Sequence, residues 1–310
     1  MSILIKKPGI LTTVQDGGRF GYRELGVNPS GPMDGFAARI ANILLGNAEN
    51  SAVIETHFPA VEIEFLSDTQ FAICGAEFGA CLDGKQIRNW TSHNAVEGQT
   101  LSFHRPERGS RGYVAIVGGI GSERWLDSSS STQVAAGERF AIGRSLVQLN
   151  ELSLSPWMLP RYGRFPTVRV TRGPEFELLD EAAVNHFLSE NYTISNGSNR
   201  MGARLEGSPI SCEGIGEMPS SAVTFGTIQL LPSGMPVVLM ADHQTTGGYP
   251  RIATVAVVDL PLLGQLSAGD GVSFKLIEMS EAMELLQQRE KDIEQLKCGV
   301  SIFGRTVNAK

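Results

Sequence analysis

Hydrophobic and polar positions alternate in short runs along most of this chain, and glycine, proline or aspartate separates the runs. Ile3-Leu4-Ile5 reads as a strand, Pro8-Gly9 breaks it, and Leu11 to Val14 reads as another. Val61, Ile63 and Phe65 alternate with Glu62 and Glu64, the period of a half-buried strand. Asp83-Gly84 has the chemistry of a hairpin turn. Tyr113 to Val117 is an unbroken apolar run entering Gly118-Gly119-Ile120-Gly121. Val168 to Val170, Thr227 to Leu231, Pro236 to Met240, Ile252 to Val258 and Val272 to Leu276 read as further strands, with a turn at Ser233-Gly234. Three segments instead carry the helical period. Phe36, Ile40 and Leu44 recur every four residues after Asp34, a capping residue, and Gly46-Asn47 ends that helix. Leu179, Ala183 and Phe187 predict a second helix after Gly173-Pro174. Met283, Leu286, Ile293 and Leu296 predict one face of a third, from Ser280 to about Leu296, whose acidic start suits the helix dipole.

Residues 150–166 are rich in serine and proline and lack any period, which places a boundary there. The expected domains are an N-terminal β lobe over 1–155 and a C-terminal β lobe over 166–310 that carries the terminal helix. The lobes close on similar segments. Glu97-Gly98-Gln99-Thr100-Leu101-Ser102-Phe103 and Ala268-Gly269-Asp270-Gly271-Val272-Ser273-Phe274 each read as a turn followed by a strand with Ser-Phe, as two copies of one barrel-like unit would.

Composition narrows the class. A chain of 310 residues exceeds the comfortable size of one hydrophobic core, and 35 Gly with 15 Pro imply the many turns of a β architecture. The net charge of -7 is scattered, and no basic run is longer than Lys6-Lys7, so neither nucleic acid nor an anionic membrane is an expected partner. No apolar window is long enough for a spanning helix or a signal peptide; the nearest, Ile252 to Leu266, is broken by Asp259 and Pro261. Cys74, Cys81, Cys212 and Cys298 are too sparse for a disulfide framework and read as plain thiols. The expected location is the cytoplasm.

The common catalytic signatures fail in turn. The chain has no P-loop, and Gly119 and Gly121 lack the third glycine of a dinucleotide fingerprint. It has no zinc-spaced Cys/His set, no metal site and no nucleophile elbow. Ser128 to Ser131 reads better as a hydrogen-bonding loop than as a nucleophile. No Met-Lys-Met segment exists for biotin attachment, so this chain is expected to carry no covalent biotin. Of the five histidines only His243 has polar company.

Two segments are unusually polar for their setting. Thr13 to Arg23, continuing to Asp34, crowds Gln15, Asp16, Arg19 and Tyr22 among glycines, where backbone amides approach a ligand closely. Two readings stand: a ligand cradle, or a turn in which Asp16 pairs with Arg19. Met240 to Pro250 joins two apolar strands and strings together Asp242, His243, Gln244, Thr245 and Thr246, with Tyr249 following; five adjacent hydrogen-bonding side chains exceed what a turn needs. A third piece, Ser198 to Leu205, holds Arg200 and Arg204 four apart, either a carboxylate or phosphate fork or a pair of surface arginines.

These segments resemble the family that contains the C subunit of 5-oxoprolinase, the sporulation-kinase inhibitor antagonist KipA and the carboxyltransferase half of urea carboxylase. The resemblance is carried by Thr12 to Arg19, Ser30-Gly31-Pro32-Met33-Asp34, Ala41-Asn42 with Gly46-Asn47, and Gly118-Gly119. It continues through Asn199 to Gly202, Asp242 with Gln244 to Pro250, Asp259-Leu260, Gln265-Leu266 and Gly269-Asp270, all in the family's order. The chain departs from that pattern after Gly119. Asp127-Ser128-Ser129-Ser130-Ser131-Thr132, then Gly143-Arg144-Ser145-Leu146 and Gln148-Leu149-Asn150, replace a Gly-Ser-x-Ser-Thr turn and a loop closing on Gly-Asp, as in a diverged member.

The resemblance implies a mainly β fold of two cyclophilin-like β-barrel lobes with a few short helices, working with partner chains. The leading expectation is a subunit of a hetero-oligomeric ATP-dependent amidase that opens 5-oxo-L-proline to L-glutamate. Its partners would be a KipI-like B subunit and an A subunit, with ATP and Mg at a site shared with the partner. Asp16, Arg19, Asp242 and Gln244 are then candidate catalytic residues, with Asp242→Asn expected to abolish turnover. Gln15, Tyr22, Asn42, Arg200, Arg204, Thr245, Thr246 and Tyr249 are candidate binders of a small amide. The alternatives are carboxyl transfer to urea or a similar amide from a separate biotin carrier, and non-enzymatic regulation of a KipI-like partner.

Overall fold

The computed structural model describes residues 1–143, 150–211 and 218–303. Cys212 and the divergent residues 144–149 lie outside the described residues. The chain divides into two compact units. Unit 1 comprises 1–18, 34–161 and 290–310, and unit 2 comprises 19–33 and 162–289. The passage at Arg161–Tyr162 falls in the serine- and proline-rich stretch. The domain expectation differs from this division at two places, because a boundary read from composition follows the chain while packing does not. Residues 19–33 group with unit 2, and the terminal helix groups with unit 1 from Glu290 onward. Within unit 1 the cause is ionic and apolar together. Arg39 forks to Glu290 (2.7 and 2.8 Å) and to Glu49 (2.6 and 2.9 Å), Lys297 meets Glu49 at 2.8 Å, and Ile293 is fully buried.

Among the described residues, unit 1 carries thirteen strands in chain order. They are β1 (Ser2–Lys7), β2 (Thr12–Gln15), β3 (Val53–Thr56), β4 (Glu62–Phe65), β5 (Thr69–Glu77), β6 (Ala80–Leu82) and β7 (Lys85–Gln86). After them come β8 (Thr91–Ala95), β9 (Thr100–Phe103), β10 (Arg108–Ile116), β11 (Ile120–Gly121), β12 (Thr132–Gln133) and β13 (Arg139–Ile142). They form a seven-stranded sheet, β11-β13-β1-β4-β9-β6-β7, and a six-stranded sheet, β12-β2-β3-β10-β5-β8. Residues of both sheets, among them Ile3, Ile63, Phe65, Phe71, Ile73 and Val114, share one core. The Asp83-Gly84 hairpin forms as expected, with both residues in the left-handed region (φ 48 and 76°). Helix α1 (Gly35–Ile43) is capped by Asp34, whose carboxylate accepts from the Ala37 amide at 2.9 Å.

Unit 2 is built on a closed barrel of seven strands. These are β14 (Thr167–Arg172), β15 (Tyr192–Ile194), β16 (Gly202–Glu206), β18 (Thr227–Leu230), β19 (Pro236–Leu239), β21 (Arg251–Val255) and β22 (Gly271–Leu276). Two-residue strands β17 (Ser221–Ala222) and β20 (Thr246–Gly247) pair outside the barrel. The parallel pairing of β14 with β22 closes the cylinder, and closure removes exposed strand edges. Helix α2 (Glu181–Ser189) is capped by Asp180 and buries Ala183 and Phe187, with Phe187 against Phe274 at 5.0 Å between ring centroids. Helix α3 (Leu260–Gly264) forms between two expected strands, where the sequence pattern predicts no element. In helix α4 (Met279–Phe303) the packed stripe of the first half runs through Ala282, Leu285 and Leu286, so Met283 falls off it and is exposed, contrary to expectation.

The two similar closing segments adopt one geometry. Gly98 and Gly269 both have left-handed backbone (φ 88 and 85°). Each is the third residue of an i to i+3 turn, Gln99 N to Val96 O at 3.1 Å and Asp270 N to Ser267 O at 3.0 Å. Each turn also exchanges a pair of backbone bonds with a neighbouring strand, at Phe65 in unit 1 and at Ile194 in unit 2. Of the described cysteines, Cys74 and Cys81 are buried free thiols and Cys298 is an exposed one. Among the described residues no helix is long and apolar enough to cross a membrane.

Candidate functional site

Three polar pieces far apart in sequence meet in unit 2. Strand β16 begins just after Arg200, strand β19 ends just before Asp242, and the pairing of Gly202 with Leu239 sets the two side by side. The guanidinium of Arg200 donates from Nε to Asp242 Oδ2 (2.7 Å) and from Nη2 to Oδ1 (3.1 Å), and the Asp242 amide donates to the Arg200 carbonyl (2.8 Å). The segment Asn28–Gly31 is held onto this pair. Ser30 Oγ donates to Asp242 Oδ1 at 2.6 Å, Asn28 Nδ2 donates to the Asp242 carbonyl at 3.0 Å, and Arg200 Nη2 donates to the Gly31 carbonyl at 2.6 Å. Arg23 adds a bond to the Val223 carbonyl. Bidentate, charge-assisted bonds of this kind fix geometry as well as contributing energy. Both carboxylate oxygens of Asp242 are therefore engaged, and the pair works as a clasp on the 28–31 loop.

Beside the clasp, on the outer face of the barrel wall, lies a cleft of about 190 Å³. Its position follows from strand register. Ala203, Val238 and Ile228 pair in one row across β16, β19 and β18 and point into the core, so the next row, Arg204, Val237 and Gln229, points out. Leu231 and Leu239 add apolar surface, and Asn199, Gln244, Met201 and Tyr249 complete the lining with Gly202. Gln229 is buried beneath the loop after β19. It accepts from Gln244 Nε2 and donates to the Tyr249 carbonyl, both at 3.4 Å. Position 247 in that loop is glycine, and a Cβ there would stand 2.5 Å from Gln229 Nε2, so loop or side chain would have to shift. His243 is buried and bonds the Gln244 carbonyl through Nδ1 (2.5 Å); burial, with the nearby Arg23 charge adding to it, holds its imidazole below the usual pKa.

Asp16 lies in unit 1 and gathers donors from two directions: the amide of Gly18 (2.9 Å), and across the unit Ser128 Oγ (2.6 Å), the amide of Ser129 (2.7 Å) and Ser130 Oγ (2.7 Å). Burial works against its charged form, but the hydrogen bonds from Ser128, Ser130, Ser129 and Gly18 outweigh it and hold the carboxyl below its ordinary range. The loop so tied contains Leu126, Asp127 and Ser131 in left-handed backbone (φ 48, 61 and 70°), a conformation rare for residues with side chains. The serine run is thus a hydrogen-bonding loop around a carboxylate.

The remaining candidates fall as follows. Gln15 is buried in β2 and donates to Thr13 Oγ1 at 2.8 Å. The amide of Asn42 is engaged with the Ser51 carbonyl (2.8 Å) and accepts from Asn47 (3.1 Å), so Asn42 braces the loop after α1. Arg19 is buried, its backbone amide donating to the Pro29 carbonyl (2.7 Å), and Tyr22 is half-buried at the start of the short 3-10 turn Arg23–Leu25. Thr245 and Thr246 are engaged through backbone, Thr245 with Val223 and Thr246 in the pairing of β20 with β17. Of the expected binders the cleft brings together Arg204 and Tyr249, and with them the candidate catalytic residue Gln244. Sequence reasoning missed Gln229 and Asn199. A glutamine between Ile228 and Leu230 is the available signal, since a strand that is apolar on both sides of one polar residue marks an outward position.

A mainly β chain of two units places this protein structurally among carboxyltransferase-type domains. The chain matches the family model described as carboxyltransferase domain, subdomain A and B, over residues 25–276, and it belongs to that family. It is 35% identical to the 5-oxoprolinase C subunit of Escherichia coli over 94% of this chain and 96% of that protein. It is 32% identical to the 5-oxoprolinase C subunit of Haemophilus influenzae over 92% and 94%. Among solved structures, the K. lactis urea amidolyase aligns with a TM-score of 0.85 at 25% identity, covering 95% of this chain, which spans only 20% of that one. Another solved structure, 30% identical with a TM-score of 0.81, covers 88% of this chain, which spans 55% of it.

Proposed function

We propose that this chain is a subunit of a hetero-oligomeric, cytoplasmic, ATP-dependent 5-oxoprolinase that opens 5-oxo-L-proline to L-glutamate with partner chains. The observation that carries the reading is the end-to-end match to two 5-oxoprolinase C subunits, 94% and 96% of those relatives' lengths, against 18% of the urea amidolyase of Lachancea kluyveri. The partners are a KipI-like B subunit and an A subunit. ATP supplies the drive for breaking a stable lactam C–N bond. Among the described residues no three His, Cys, Asp or Glu side chains gather into a metal nest, and in this reading ATP and Mg bind at a site shared with a partner chain. Its own contribution is binding and orientation: Gln244 addresses the amide, Tyr249 covers it, and the Arg200–Asp242 clasp fixes the adjoining loop. Reconstitution tests this. ATP-dependent glutamate release from 5-oxoproline by the co-expressed subunits is expected to vanish when this chain is left out, and release that persists without it overturns the proposal.

A second reading, carboxyl transfer to a small amide, is favoured by the family description and by the structural match to the K. lactis urea amidolyase. It requires a biotinylated carrier. A biotinylated protein retained stoichiometrically through native purification would support it, and its absence from an active complex would remove it.

A further inference from the structure

Arg200 and Arg204, four apart in sequence, have different fates. Arg200 is engaged with Asp242, whereas the side chain of Arg204 makes no hydrogen bond or ion pair among the described residues. Arg204 lines the cleft, and none of the cleft's lining residues carries a carboxylate. The row Arg204, Val237 and Gln229 spans three adjacent strands, so the cationic and amide ends stand about 10 Å apart at the backbone, with an aliphatic residue between them. At the amide end, Gln229 is held from both sides, and Gln244, having donated to it, keeps its side-chain oxygen to accept an N–H. Asn199 sits instead at the cationic end, in the turn between β15 and β16, with its side-chain oxygen on the Met201 and Gly202 amides (2.8 and 3.3 Å).

From this arrangement we infer that Arg204 is the specificity-determining residue of the cleft: it takes the carboxylate of a small ligand whose amide meets Gln244, with a short aliphatic stretch over Val237. The inference rests on the lactam-opening reading above and deepens it. A charged guanidinium facing uncharged amides selects a carboxylated amide over a neutral one, because a neutral ligand leaves the cation without its charge-assisted bonds. Urea and unsubstituted lactams are thereby disfavoured.

The test uses the full chain, with 5-oxo-L-proline and its neutral carboxamide as calorimetric probes and the reconstituted complex for kinetics. The wild type is expected to bind 5-oxoproline about tenfold or more tightly than the carboxamide. Arg204→Gln should erase that preference without weakening the carboxamide, Arg204→Lys should restore part of it, and KM for 5-oxoproline should rise while kcat changes little. Arg204 is exposed, so unchanged thermal unfolding is expected to certify the variants. An Arg204→Gln chain that keeps the preference, or an active complex whose KM the substitution does not move, overturns the inference and leaves the 5-oxoprolinase reading standing. Arg204-dependent preference for the carboxylate in a complex that releases no glutamate sustains the inference and removes that reading.

Discussion

At the scale of single residues, the candidate catalytic carboxylates are the most heavily engaged groups of their surroundings. Asp242 holds Arg200 and Ser30, so Asp242→Asn is expected to loosen the 28–31 loop as well as to affect turnover. Asp242→Asn and Arg200→Gln are each expected to cost about 2 kcal/mol of stability. In a double-mutant cycle they should be coupled by about 1–3 kcal/mol, because either one breaks the same clasp; additive effects in urea titrations would refute the clasp. Asp16 permits a test by pH. Its native pKa is depressed, so the stability it contributes is fully present above the ordinary aspartate range and is lost as pH falls through the lower native value. Asp16→Asn should therefore cost about 2 kcal/mol near neutrality, and the deficit should shrink only in strong acid. A deficit independent of pH down to full protonation would mean the carboxylate charge is immaterial. Why these roles were hidden is physical. The sequence shows that Asp16, Arg200 and Asp242 are polar and close to glycines, but hydrogen-bond partners a hundred or more residues away, such as Ser128 and Ser30, leave no local pattern.

At the scale of elements, periodicity served where burial is one-sided. The alternation of Glu62–Phe65 and the cap Asp34 appear where local chemistry placed them, because a strand face or a first helical turn is specified within a few residues. The terminal helix was legible at its start and in Leu286 and Ile293 of its face, but it runs on to Phe303, and its first packed stripe passes through Ala282 and Leu285, where alanine is a weak marker of a buried side. The repeated turn at Gly98 and Gly269 was legible because only glycine suits a left-handed backbone without strain. The loop after β19 supplies the prediction at this level. Gly247→Ala would drive a methyl into Gln229, so it should displace the loop and raise KM severalfold while leaving the barrel's unfolding cooperative. Unaltered KM in a folded Gly247→Ala complex would show that the loop's close seat on Gln229 does not shape the cleft.

At the scale of the whole chain, the passage from one unit to the other at Arg161–Tyr162 lies within the aperiodic stretch 150–166, while the exchange of 19–33 and 290–310 has no such mark. A chain that leaves a unit and returns carries no compositional mark at the crossing, here between Gly18 and Arg19. Family membership is the property that sequence motifs and the family model agree on over most of the chain. The most direct measurement is ATP-dependent conversion of 5-oxoproline to glutamate by the purified subunits, run complete, without this chain, and with it added back. Activity is expected in the complete mixture, none on omission, and recovery in proportion to the chain restored up to stoichiometry. Equal glutamate release with and without the chain, or none from a stable stoichiometric complex, would contradict the 5-oxoprolinase role.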